Sequence, residues 1–114
     1  MSSVAYSALV FAIAALGGGF LATRHFMKKD LPMPVVLLHG ALAATGLVLL
    51  GYASVQGTTM PLANIALVLF LVAALGGFYL FSKTLRKQPL PSPVIVIHAG
   101  VAVLAFLLLC GTLV

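Results

Sequence analysis

Four stretches of this chain, Val4–Thr23, Pro34–Ala53, Pro61–Ser82 and Pro93–Val114, contain no Asp, Glu, Lys or Arg. Each is about 20 residues long, enough for a helix to cross roughly 30 Å of hydrocarbon. Side chains of this kind, 63% hydrophobic and 6% charged over the whole chain with a mean hydropathy of +1.27, exclude an ordinary soluble domain. The stretches are continuously apolar and lack the alternation of a transmembrane barrel strand. The expected fold is an all-α integral membrane protein, a single membrane domain over 1–114 with four transmembrane helices.

The second half repeats the first at an offset of 59 residues. LPMPVVLLHG at 31–40 returns as LPSPVIVIHA at 90–99, and AALGG at 14–18 returns at 73–77. Aligning 4–55 on 63–114 leaves about a third of positions identical, a clear internal repeat. Phe11/Phe70, Lys28/Lys87, Pro34/Pro93 and His39/His98 all fall in register. Each copy reads as helix, basic turn, Leu-Pro-x-Pro, helix, with proline placed in the first turn where its missing N–H is harmless. Two tandem hairpins of one orientation predict an up-down-up-down bundle with a pseudo-twofold axis along the membrane normal.

Charge sets the expected orientation. All six basic residues lie in two connections: Arg24, Lys28 and Lys29 in one, Lys83, Arg86 and Lys87 in the other. The positive-inside rule places 24–33 and 83–92 in the cytoplasm and both termini outside, as for a bacterial inner-membrane protein. The first helix is too long for a cleaved signal peptide and lacks its basic lead-in, so it is expected to be retained. The net charge of +5 reflects this topology and contact with anionic lipid. No polar surface is available to bind nucleic acid.

The chemistry-bearing residues gather at one depth. His39 and His98 each lie five residues past a proline, about 7.5 Å into their helices. Gly17, Gly18 and Gly19 on the first helix and Gly76 and Gly77 on the third precede the basic residues by a similar rise. Two imidazoles related by a twofold axis suit the two axial positions of a haem iron. Glycine lets a macrocycle approach the backbone, and Arg24 and Lys83 at the boundary suit anionic propionates. The competing reading is structural: small-xxx-small spacing (Ala14, Gly18, Ala22) is an ordinary way to pack membrane helices. An imidazole at this depth still needs a partner, since leaving it unpaired costs about 2 kcal/mol.

This layout resembles the membrane cytochromes b, four-helix bundles that take haem ligands from their second and fourth helices. The resemblance is architectural and rests on His39, His98 and the glycines. It implies that His39 and His98 are axial ligands of the iron and that Gly18 and Gly77 lie beside the porphyrin. Diheme members carry two histidines on each ligand helix; with one on each here, at most one haem b is implied.

Other residues carry less. His25 sits among bases in a turn, and Cys110 is alone, so no internal disulfide forms. Asn64 is expected to face water or headgroups, and Tyr6, Tyr52 and Tyr79 to anchor at the interface. Asp30, the sole acid, is expected to cap the second helix or pair with Lys28 or Lys29. There is no intramembrane carboxylate, nucleophile triad or phosphate loop, so a stand-alone enzyme is not expected. Three classes of function remain. One is a small b-type cytochrome exchanging electrons, with quinone or within a redox complex, or its variant carrying a chlorophyll-type pigment on each histidine. The second is an accessory subunit of a larger respiratory or photosynthetic complex, or a homodimer within the bilayer. The third, a transporter or channel, fits least well, because a translocation path needs more polar residues.

Overall fold

A computed structural model of the chain describes all 114 residues. It is all-helical: α1 (Ser3–Phe26), α2 (Met33–Val55), α3 (Pro61–Leu85) and α4 (Ser92–Gly111). All four are long and apolar enough to span a membrane, compatible with an integral membrane protein.

The helix ends follow local chemistry. Ser2 caps α1 by accepting the Ala5 N–H at its hydroxyl, 3.1 Å away. The other three helices begin without a side-chain cap and instead place proline in the first two positions. Asp30 therefore does not cap α2, whose N-cap is Pro32. The part of Asp30 that is engaged is its backbone carbonyl, which accepts from Arg24 Nε at 2.6 Å and ties the turn to the end of α1.

The C-termini of α1, α2 and α3 share one device. In α1 the Lys28 N–H bonds to His25 O at 3.0 Å and the Lys29 N–H to Arg24 O at 2.9 Å. In α3 the Lys87 N–H reaches Thr84 O at 3.1 Å and the Gln88 N–H reaches Lys83 O at 3.0 Å. In α2 the Gly57 N–H reaches Ser54 O at 3.0 Å and the Thr58 N–H reaches Ala53 O at 3.1 Å. This is the Schellman motif, which turns one residue into the left-handed region. Gly57 does so at φ 69°, and Lys28 and Lys87 do so at φ 57° and 54°. A side chain there costs about 1 kcal/mol that glycine avoids.

The chain divides into two compact units, Met1–Thr59 and Met60–Val114, each a two-helix hairpin. Within the first, α1 and α2 run in opposite directions, because Phe11 meets Gly46 while Gly18 meets His39. Within the second, Leu62 meets Gly111 while Gly77 meets His98. Burial repeats at the same offset as the sequence. Ser7, Phe11, Ala14 and Leu50 are buried, and so are their counterparts Ala66, Phe70, Ala73 and Leu109. Positions 7, 11 and 14 form one helical stripe, as do 66, 70 and 73. No buried side-chain nitrogen or oxygen lacks a hydrogen bond, the condition for an apolar surrounding. Ser7 meets it through the Val4 carbonyl at 2.6 Å.

Candidate functional site

Each hairpin closes on its own histidine. His39 projects from the second turn of α2, and its Nδ1 lies 2.8 Å from the carbonyl oxygen of Ala14 on α1. His98 repeats the contact on Ala73 of α3 at 2.7 Å. A carbonyl oxygen can only accept, so Nδ1 carries the proton in both rings. In the neutral imidazole the lone pair then resides on Nε2.

The glycines explain how the rings fit. A methyl group built on Gly18 would lie 2.9 Å from His39 Cε1, and one on Gly77 would lie 3.2 Å from His98 Cε1. A methyl group on Gly17 or Gly76 would lie 3.7 or 3.6 Å from the Cβ of the same histidine, an ordinary contact. Each AALGG segment thus supplies both the accepting carbonyl and the hollow for the imidazole. Gly19 has nothing within 4 Å and takes no part. On the first hairpin the half-buried His39 also edges an apolar groove of about 380 Å³ between α1 and α2, bordered by Ile13, Leu16, Gly17, Phe20 and Leu38.

The basic residues singled out in the sequence stand at the turns. The Arg24 guanidinium lies over the Phe20 ring, 5.8 Å from its centroid, besides its bond to Asp30. Its counterpart Lys83 lies over Tyr79 at 5.6 Å, so a cation over an aromatic one turn earlier is itself part of the repeat. His25 packs edge-on against Phe26, with ring centroids 5.0 Å apart. Asn64 and the three tyrosines are exposed.

The structure thus brings His39 to Gly18, and His98 to Gly77, each pair inside one hairpin. The sequence set these residues at one depth, but neither their pairing within a hairpin nor the Ala14 and Ala73 carbonyls was foreseen from it. The signal available was the equal spacing of 25 residues between Ala14 and His39 and between Ala73 and His98. Nowhere do three His, Cys, Asp or Glu side chains gather to hold a bare metal ion. A haem asks the protein for axial donors, and each hairpin offers one imidazole whose chemistry suits that part. Each imidazole has the proton on Nδ1, and donation of that N–H to a backbone carbonyl is the usual support of a metal-ligating histidine. Comparison with protein-family models, curated proteins and solved structures finds no match to this chain. Fold and site together define an all-helical chain of four membrane-length helices carrying one carbonyl-anchored imidazole per hairpin.

Proposed function

We propose that this chain is a small b-type membrane cytochrome in which His39 and His98 are the axial ligands of one haem. The observation that supports the reading is the pair of Nδ1–H···O=C bonds. They hold both rings in one tautomer, with Nε2 as the donor atom, inside apolar helices. A haem held there would supply a one-electron couple for exchange with quinone or with a neighbouring redox subunit. The Ala14 and Ala73 carbonyls fix the rings, and Arg24 and Lys83 at the adjoining helix ends would neutralise propionate charge. The reading requires the hairpins to close as an up-down-up-down bundle about a pseudo-twofold axis. In the bacterial inner membrane it would lie with the basic turns in the cytoplasm and both termini outside.

A second reading is favoured by the glycine hollows. Because the imidazoles fill them, the repeated His–Gly pairs are accounted for as packing clamps with no cofactor. The chain is then an accessory subunit that offers apolar helix faces, including Leu16, Val48, Leu75 and Phe78, to a larger complex. A reduced-minus-oxidised absorption spectrum of the purified protein, expressed with haem available, separates the two. A sharp reduced α-band at one haem per chain, lost in both His39→Ala and His98→Ala and kept in His25→Ala, supports the cytochrome. A colourless protein, or haem retained in both single variants, overturns it in favour of the clamp.

A further inference from the structure

Three helices of this chain end in the same motif, yet they fill its left-handed position differently. At the end of α2 the residue is Gly57; at the ends of α1 and α3 it is Lys28 and Lys87. The chain can therefore place glycine at such a corner, and at the two basic turns it carries lysine instead, in both copies. The Schellman hydrogen bonds would form equally with glycine there, and no side-chain bond within the protein offsets the strain. Both lysines are exposed, and neither ammonium has a hydrogen-bond or ion-pair partner in the chain. The two arginines beside them are differently engaged: Arg24 bonds the Asp30 carbonyl, and Arg86 bonds Ser82 through both its backbone oxygen and its hydroxyl. The only acid in the chain is Asp30, in the first turn, so both turns keep a net positive charge: three bases against one acid in the first, three bases and no acid in the second.

We propose that Lys28 and Lys87 are two equivalent binding sites for the phosphate of anionic phospholipid headgroups, one at the basic turn of each hairpin. The left-handed residue lies beyond the helix end, eight residues past the aromatic residues Phe20 and Tyr79, which are half exposed at 46% and 47%. A cation just outside an aromatic girdle lies at headgroup level. Arg24 over Phe20 and Lys83 over Tyr79 add a second cation to each site.

The test uses the full chain and the double variant Lys28→Gly/Lys87→Gly. Glycine removes the charge while suiting the backbone, so loss of binding is separated from loss of fold. Lipid retention is counted by native mass spectrometry after exposure to phosphatidylglycerol or phosphatidylcholine, and thermal unfolding is followed with and without lipid. The native chain should retain phosphatidylglycerol in preference and be stabilised by it. The double variant should retain it about fivefold less for each lysine removed, with an unchanged or raised unfolding temperature in lipid-free detergent. Equal retention by the two proteins overturns the proposal. So does a lower lipid-free unfolding temperature in the variant, which would assign the lysines to the helix dipole. Stabilisation by inorganic phosphate equal to that by the lipid would also overturn it, in favour of a free anion.

Discussion

The Nδ1–H of His39 is held by the carbonyl oxygen of Ala14, 2.8 Å away on the facing helix, and His98 holds Ala73 in the same way at 2.7 Å. Each acceptor already takes part in its own helix ladder, so the imidazole uses the carbonyl's second lone pair. Neither helix is opened to satisfy it. A polar ring is thereby satisfied by a backbone carbonyl of the facing helix.

Removing the ring tests its structural weight. His39→Leu and His98→Leu should each lower stability by about 1 kcal/mol, the typical scale of a hydrogen bond between membrane helices. The two losses should be equal within error, because the contacts are equivalent. Reversible unfolding in mixed micelles gives both values.

The glycine hollows predict a graded series. Gly18→Ala brings a methyl within 2.9 Å of an imidazole atom that its own hydrogen bond holds in place, and Gly77→Ala does so at 3.2 Å. The first should therefore destabilise more than the second, by about 1–3 kcal/mol for an overpacked site. Gly19→Ala meets nothing and should be neutral or stabilising, as glycine to alanine in a helix generally is. Thermal unfolding of the three variants side by side shows the order.

Gly46 makes a different contact. A methyl there would meet three Phe11 ring atoms at 2.8–2.9 Å, and both residues are buried. Gly46→Ala should cost about 1–3 kcal/mol. In the Phe11→Leu background, where the ring is absent, the same substitution should cost much less. A double-mutant cycle reads the difference directly.

Gly57 isolates backbone strain from sterics. It sits at φ 69° with nothing within 4 Å of an added methyl, so Gly57→Ala should cost about 1 kcal/mol through conformation alone. Comparison with Lys28→Gly, which makes the reverse change in the equivalent position of α1, should give the opposite sign in lipid-free detergent.

The four helices were legible because a twenty-residue apolar run leaves a chain few alternatives. The ends were less so. The apolar stretches stop at Thr23 and Ser82, whereas α1 and α3 continue to Phe26 and Leu85. Hydropathy marks where the hydrocarbon would end, but a helix ends where its carbonyls find other donors, here in the Schellman turns. Conversely α4 closes at Gly111, short of the apolar run that continues to Val114. The histidines and glycines of the site were visible as repeated residues. Their pairing was not, because a backbone carbonyl leaves no mark in a sequence. Asp30 misled for a related reason: its carboxylate drew the eye, while its carbonyl makes the contact. The left-handed lysines carry no sequence signal at all, unlike Gly57.

Each histidine finds its acceptor 25 residues upstream, on the helix made just before it. In a membrane-spanning chain the partner helix would thus be made, and free to enter the bilayer, before the imidazole arrives. A hairpin that has satisfied its own polar group can be released sideways into lipid before its twin exists. On this account the chain is two self-sufficient insertion units joined by the short connection around Gly57. Severing that connection and producing the halves as separate polypeptides should still yield two clamped hairpins.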